Sequence, residues 1–251
     1  MPKIAVFDSG LGSLSIIKPI QKKIRAEIFY FADQDNFPYG TKSVSQLKKI
    51  IESTIKKLQK NFELDIIIVG SNTPSLLLGI PARSKIIGVY PPLYKASKIT
   101  RTKTIAILAT ESVMKSKKLT NYIRKNVPST IKTIKINASP LVELVESEKF
   151  ISKKSFCNKK IKQILKPLLK EKVDVVTLSS THLPFLLPLL QKNFPNVKFL
   201  DPGESVADKI SIILKNKKSR LQKLQIFASG DTQAFQKKLQ KIGIRYKVQP
   251  L

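Results

Sequence analysis

The feature that most constrains the fold is a regular alternation of short apolar, β-branched runs with amphipathic, lysine-bearing stretches. Such runs are typical of strands buried in a parallel sheet, and the stretches between them carry apolar residues at helical spacing. The alternation predicts a mostly parallel sheet covered by helices on both faces. The predicted strands are 3–8, 27–33, 65–70, 84–90, 102–110, 130–139 and 174–180, and the predicted helices are 14–24, 43–62, 115–126 and about 155–170, with further pieces at 197–216 and 224–243.

The alternation restarts near residue 103, shortly after the pair Pro91 and Pro92, and it contains an internal repeat. The segment that starts at Asp65 lines up with the one that starts at Asp174, an offset of 109 residues. The predicted fold class is therefore α/β, with two pseudo-symmetric three-layer domains and an active-site cleft between them. We expect the first domain to take 1–92 plus 206–251, and the second to take 93–205.

The composition limits the function classes. The formal net charge is +29, which attracts polyanions such as nucleic acid. Lysine rather than arginine supplies most of this charge, and the lysines recur at helical spacing opposite apolar residues, as on 46–60. This pattern is typical of solvated helix faces, so a nucleic-acid partner is possible but not favoured.

Neither targeting nor disulfide signals are evident. The chain has no apolar run of transmembrane length and its first residues do not resemble a secretory signal, so we expect a cytoplasmic protein without a membrane partner. Cys157 is the single cysteine, lies in a lysine-rich stretch and has no acid or base motif near it. We interpret it as incidental rather than as a nucleophile.

Polar side chains follow the apolar runs at the points where strand ends should meet. Glycines in these segments let backbone amides approach a ligand, and the hydroxyl and amide groups suit a small zwitterion. Each segment alone is more often a turn or a helix cap. The segments are Asp8-Ser9-Gly10, Pro38-Tyr39-Gly40-Thr41, Ser71-Asn72-Thr73 and Ser180-Thr181-His182.

Together, these segments resemble the cofactor-independent glutamate racemase family, which supplies D-glutamate for peptidoglycan. The resemblance covers almost the whole chain and follows the family order: DSGLGS, FADQDNFPYGTKS, VGSNTPS, LATESV, NASPLVELVE, LSSTHLP and LDPGESVA. It implies two α/β domains, an isomerase that removes and returns a proton at Cα, no pyridoxal phosphate and no metal. It also allows a homodimer.

The resemblance further implies roles for individual residues. Asp8 would assist proton transfer on one side of the substrate, and His182, the only histidine, would assist on the other. The catalytic pair would occupy positions 71 and 180. The implied substrate-binding residues are Ser9, Pro38, Tyr39, Gly40, Asn72, Thr73, Thr110 and Thr181.

The departures from the family pattern concern the chemistry itself. Ser71 and Ser180 stand where the family has its two catalytic cysteines, and Ser139 stands at a third family cysteine. Ser13 and Ser179 replace glycines. A thiol ionises near neutral pH in a suitable site, whereas a serine hydroxyl needs a strong base to become an alkoxide. We therefore expect weak or lost racemisation with substrate binding retained.

Three explanations of the two serines stay open: engineering, a lineage that kept binding and abandoned racemisation, or related chemistry with Asp8 and His182 as the working pair. The leading function is a glutamate or aspartate racemase-family protein that acts on a small acidic amino acid. The alternatives are a non-catalytic amino-acid sensor and a basic nucleic-acid-binding protein.

Overall fold

A computed structural model describes residues 1–81, 85–217 and 219–251. Its strands are β1 (Lys3–Asp8), β2 (Glu27–Ala32), β3 (Ile66–Val69), β4 (Ile86–Gly88), β5 (Thr104–Ala109), β6 (Lys132–Asn137), β7 (Val175–Ser179), β8 (Lys198–Leu200), β9 (Lys223–Ala228) and β10 (Val248–Pro250). Its helices are α1 (Leu14–Lys23), α2 (Val44–Asn61), α3 (Asn72–Leu78), α4 (Leu93–Ile99), α5 (Glu111–Met114), α6 (Lys117–Asn126), α7 (Ser139–Glu146), α8 (Lys149–Ser152), α9 (Lys154–Lys170), α10 (Leu187–Asn193), α11 (Pro202–Ile213) and α12 (Thr232–Lys241).

These elements form two compact units. Unit 1 comprises Met1–Val89 with Gly203–Leu251, and unit 2 comprises Tyr90–Pro202. Unit 1 contains a six-stranded parallel sheet of order β10-β9-β2-β1-β3-β4, and unit 2 a four-stranded parallel sheet of order β6-β5-β7-β8. The α/β fold class is thus confirmed. The predicted domain bounds, 1–92 with 206–251 and 93–205, stay a prediction.

The central strands are buried because their sequences carry almost nothing but apolar residues. All four residues of β3 and all six of β5 are buried. Burial on both faces is what helices packed on either side of a parallel sheet produce. The predicted strands correspond to observed ones, with ends that differ by at most two residues; residue 84 of the predicted strand 84–90 lies outside the described residues.

Helix α2 begins where its sequence predicts. Ser43 is its N-cap, and the Ser43 hydroxyl accepts from the backbone N–H of Gln46. The Gln46 side chain accepts in return from the Ser43 backbone N–H, which completes a capping box. Several shorter helices were not predicted, including α3 and α7, because seven or eight residues carry little periodicity.

The cores of the two units differ in composition. Unit 1 packs an aromatic cluster that includes Phe7, Phe29, Phe31 and Phe227. Unit 2 packs mostly leucine, isoleucine and valine, and Cys157 is fully buried among them. Burial raises the pKa of the Cys157 thiol above its usual value, which opposes a nucleophilic role.

In each unit, an aspartate stands just before the strand that leads to the candidate catalytic serine. Asp65 precedes β3 and Ser71, and Asp174 precedes β7 and Ser180. Asp65 accepts from the Lys3 backbone N–H at 2.9 Å and from Lys217 Nζ at 2.5 Å. Asp174 accepts from the loop 100–102, including the Thr100 hydroxyl at 2.6 Å and the Arg101 backbone N–H at 2.6 Å. Burial alone would raise the pKa of both carboxyls, but these hydrogen bonds outweigh it and lower both values.

Candidate active site

In unit 1, the end of β1 carries a buried carboxylate. Asp8 is 1% exposed, and its Oδ1 accepts from the Ser9 backbone N–H at 2.7 Å. The Ser9 hydroxyl in turn accepts from the Tyr39 backbone N–H at 3.4 Å. Two predicted site segments, which lie 30 residues apart in sequence, therefore meet at Ser9.

A hydrogen bond to Asp33 holds the turn that contains Pro38, Tyr39 and Gly40. The Tyr39 hydroxyl donates to Asp33 Oδ2 at 2.8 Å, and the Thr54 hydroxyl donates to the same oxygen at 3.3 Å. Burial, then the charges of Asp33 and Asp8, raise the pKa of Tyr39 well above its usual value. Tyr39 is therefore a neutral donor that binds inside unit 1, while Pro38 is exposed and Gly40 half-buried.

Ser71, Asn72 and Thr73 occupy the junction between β3 and α3. Ser71 is the N-cap residue of α3 and is half-buried, but its hydroxyl makes no capping hydrogen bond. Asn72 is 2% exposed and donates from Nδ2 to the Val89 carbonyl at 3.2 Å. Its Oδ1 is buried and has no hydrogen-bond partner among the described residues. The junction thus presents a free acceptor.

The strand end before Ser71 is tightly packed. A Cβ atom at Gly70 would lie 2.4 Å from the Cβ of Ser13 and 2.9 Å from the Phe7 carbonyl oxygen. Position 70 therefore accepts only glycine while Ser13 lies against it. The departure at Ser13 from the family glycine places a side chain in this contact.

In unit 2, β7 ends at a cluster that combines a hydroxyl, an imidazole and a carboxylate. Ser180 and His182 are each 7% exposed, and Ser180 Oγ lies 3.4 Å from His182 Nδ1. The His182 backbone N–H also donates to Ser180 Oγ at 3.4 Å. The other ring nitrogen, Nε2, lies 2.5 Å from Oε1 of Glu146, at the end of α7. Thr181 between them is 1% exposed.

Glu146 is a residue that motif reasoning did not single out. It lies within the segment NASPLVELVE, which was noted only as part of the resemblance. Its partner His182 follows 36 residues later, so no local spacing reveals the pair. A carboxylate on one imidazole nitrogen fixes the tautomer and leaves the other nitrogen as an acceptor.

The two other serines at which unit 2 departs from the family pattern, Ser139 and Ser179, contact neighbouring polar groups. Ser139 Oγ accepts from the Glu111 backbone N–H at 3.0 Å, at the first turn of α5. Ser179 is buried, and its hydroxyl lies 3.4 Å from that of Thr177. The Thr110 hydroxyl lies 3.4 Å from that of Ser112. Ser139, at the third family cysteine, thus anchors a helix end.

Strand pairing gathers the predicted residues within each unit. β1 and β3 are neighbours with Phe7 opposite Val69, so the segments that begin at Asp8 and Ser71 leave the same edge of the sheet. β5 and β7 are neighbours with Ala109 opposite Ser179, which does the same for Thr110 and Ser180. The expectation that Ser71 and Ser180 face each other across one pocket stays a prediction.

Two kinds of feature are absent from the described ranges 1–81, 85–217 and 219–251. No helix there is long and apolar enough to cross a membrane. No group of three or more His, Cys, Asp or Glu side chains in those ranges could hold a metal ion.

Known proteins are similar to this chain in sequence and in fold. No family model matches the chain. The glutamate racemase of Actinobacillus pleuropneumoniae serotype 3 (strain JL03) is 33% identical over 219 residues, which covers 85% of this chain and 82% of the relative. The chain belongs to the glutamate racemase family. This membership does not favour the sensor or nucleic-acid alternatives.

Solved structures show that the glutamate racemase fold extends over the whole chain. Glutamate racemase isoform RacE1 from Bacillus anthracis matches with a TM-score of 0.84 at 24% identity, and covers 100% of this chain and 97% of that one. Escherichia coli glutamate racemase, in complex with L-glutamate and the activator UDP-MurNAc-ala, matches with a TM-score of 0.83 at 23% identity, covering 100% and 98%. These likenesses confirm the predicted two-part α/β architecture.

Proposed function

We propose that the chain binds a small acidic amino acid, glutamate or aspartate, at the polar strand ends of its two units and moves a proton at the substrate Cα. The observation that carries this proposal is the pair of corresponding strand ends, 71–73 and 180–182, in a member of the glutamate racemase family. The ligand class follows the Escherichia coli relative, whose structure contains L-glutamate. The reaction would supply D-glutamate for peptidoglycan, in the cytoplasm and without pyridoxal phosphate or a metal.

The unit 1 strand ends contribute a carboxylate and an uncharged amide. Asp8 is buried beside Ser9 and assists proton transfer on its side. The Oδ1 atom of Asn72 is a buried acceptor without a partner among the described residues, which suits a substrate ammonium group. A ligand that donates there would satisfy an atom that is costly to leave without a hydrogen bond.

The unit 2 strand ends contribute Ser180 and His182, with Thr110 and Thr181 as further polar groups. Two-base racemisation needs one deprotonated and one protonated group on opposite faces of Cα. Positions 71 and 180 fill these places in the family, and serine is a poor acid and a poorer base there. We therefore expect binding to survive and full racemisation to be slow.

The test is isothermal calorimetry with L-glutamate, D-glutamate and both aspartates. We expect binding of at least one of them, and Asn72→Ala to weaken it by about 1–3 kcal/mol because a buried hydrogen bond is lost. Asn61→Ala is the matched control, since Asn61 is an exposed residue of α2 that donates to the Lys57 carbonyl. Failure of all four amino acids to bind would contradict the proposed function.

A further inference from the structure

The segment 149–170, which spans α8 and α9, carries positive charge and no negative charge. It contains eight lysines and neither aspartate nor glutamate, whereas the whole chain has 17 acidic residues for 46 basic ones. The next acidic residue along the chain is Glu171, and its carboxylate pairs with Lys132 of β6. The segment therefore has no carboxylate of its own that would neutralise its charge.

The lysines of α9 form a row on the side of the helix that faces solvent. The opposite side is buried in the core of unit 2, through Cys157, Ile161, Leu165 and Leu168. Because residues three or four apart share a helix face, the exposed lysines are neighbours along α9. The row consists of Lys159, Lys162, Lys166 and Lys170. None of these four forms an ion pair in the part of the chain that the structure describes.

Large apolar side chains are exposed beside this row. Leu169 is 71% exposed, Phe156 is 44% exposed and Ile151 of α8 is 37% exposed. Helical spacing places Leu169 and Phe156 on the two flanks of the row, near its two ends, and α8 packs against α9. Apolar surface gains free energy when it leaves water, so these side chains favour a partner that combines negative charge with an apolar layer.

We propose that this surface binds an anionic lipid bilayer. We call it the α9 face, and it comprises Lys159, Lys162, Lys166 and Lys170 with Ile151, Phe156 and Leu169. The ammonium groups attract acidic lipid head groups, while the apolar side chains enter the layer beneath them. Duplex DNA also presents phosphates, but its backbone has no apolar layer that would accept Leu169 and Ile151.

The contact is peripheral and does not depend on the proposed function. It needs no segment of transmembrane length, so the expectation of no membrane partner, which rests on the lack of such a segment, does not bear on it. Every residue of the α9 face belongs to unit 2, and none of them belongs to the candidate active site. Because exposed charges are screened over about 8 Å at physiological ionic strength, binding should weaken as salt is raised.

The test is cosedimentation of the full chain with vesicles of phosphatidylcholine, alone or mixed with an equal part of phosphatidylglycerol. We expect binding to the mixed vesicles only, and release at high salt. Glutamine at all four lysines of the row should lower the partition coefficient by about 10²-fold or more, because each lysine near an anionic surface contributes about fivefold. Phe156→Ser with Leu169→Gln should lower it by about tenfold at unchanged net charge.

The matched control removes the same charge from unit 1. Glutamine replaces four exposed lysines of α2 and α12, namely Lys49, Lys56, Lys60 and Lys237. We expect this variant to bind the mixed vesicles within about fivefold of the parent, since its α9 face is intact. Far-UV circular dichroism checks that each variant is folded, and the dependence of the parent on lipid charge and salt tests the proposal without any variant.

Four results would overturn the proposal. They are a parent that does not sediment with the mixed vesicles, equal binding to neutral vesicles, a control variant that loses as much binding as the α9 variant, and an apolar variant that binds as well as the parent. In the last case, tight binding of duplex DNA that is lost with the four α9 lysines would assign the face to nucleic acid instead.

Discussion

The strands β3 and β7 are the corresponding members of the two units, and they are alike at their starts and different at their ends. Each begins beside an aspartate, Asp65 or Asp174, that binds backbone N–H groups of a neighbouring segment. Each ends at a serine, but only Ser180 contacts an imidazole. The two strands thus share the aspartate contacts that stabilise the fold, and they differ in the groups that contact the serine hydroxyl. The internal repeat is therefore closer in its structural contacts than in its reactive groups.

The largest expected effect comes from the variant that replaces both serines with cysteine. Ser71→Cys with Ser180→Cys should raise glutamate racemisation about 10³-fold over the parent, because thiols ionise near neutral pH and can serve as acid and base on both sides. Chiral detection of D-glutamate from L-glutamate measures it. Ser139→Cys is the control and should add nothing, since Ser139 anchors the start of α5. A double variant without activity would show that more than two groups separate this chain from its relatives.

The single variants test the asymmetry directly. By motif alone the two serines are equivalent, so either single Ser→Cys change would be expected to help little, because the other position would still lack a thiol. The contact between Ser180 Oγ and His182 Nδ1 changes that expectation: Ser71→Cys adds a thiol and keeps this contact, so it should racemise about tenfold faster than Ser180→Cys. The same chiral assay compares them at equal protein concentration. Equal rates would mean that His182 gives Ser180 no advantage.

Substitutions of the two aspartates at the strand starts are expected to differ less in their effect on stability. Asp174→Asn should destabilise the chain by about 1–3 kcal/mol, and by about 1 kcal/mol more than Asp65→Asn, whose partner Lys217 is largely exposed and screened. Because the folded-state pKa of Asp174 is lowered, its contribution is complete above the unfolded value of about 3.9 and is lost as the pH falls through the folded value. Urea unfolding at pH 7 and pH 3 should therefore show the Asp174→Asn penalty shrinking in acid. A penalty that is independent of pH would refute this account.

The smallest expected effect compares a buried tyrosine, Tyr39, with a half-buried one, Tyr122. Tyr39 donates to the Asp33 carboxylate, whereas Tyr122 of unit 2 donates to the Pro91 carbonyl at 3.1 Å, and burial, then Tyr90, raise the pKa of Tyr122 to about 12. Hydrogen bonds to charged acceptors are the stronger kind, so Tyr39→Phe should cost about 0.5 kcal/mol more than Tyr122→Phe. Thermal melts of the two variants measure the difference. The Asn36 side-chain amide also donates to Asp33, at 2.8 Å, so the reverse order would mean that the hydrogen bonds from Asn36 and Thr54 already satisfy the Asp33 carboxylate.

Much of this fold follows from sequence because its strands are long apolar runs. β1 and β5 carry β-branched and apolar residues at successive positions, and Ser43 with Gln46 marks the start of α2 by a local rule. α3 and α7 were not predicted, since each is short and is defined by tertiary packing rather than by periodicity.

The site was predictable only where its residues stand close together in sequence. Ser180 and His182 share one motif, but Glu146 reaches His182 from another helix, and Asp33 reaches Tyr39 through a turn. The first pair depends on where α7 lies relative to the end of β7, and the second on the conformation of the turn after β2; a motif encodes neither. The ionisable partners of a site are therefore the part that sequence reasoning misses first.

The order of strands in unit 1 has a consequence for synthesis on the ribosome. β2 pairs with β1 on one side and with β9 on the other, and β9 follows all of unit 2 in the chain. Until residues 223–228 emerge, the nascent chain carries an open edge at Glu27–Ala32, rich in aromatic residues, while the continuous segment of unit 2 is already available to fold. Unit 1 is thus the unit whose translation begins first and whose sheet is completed last, and β2 lacks its second neighbour throughout that interval.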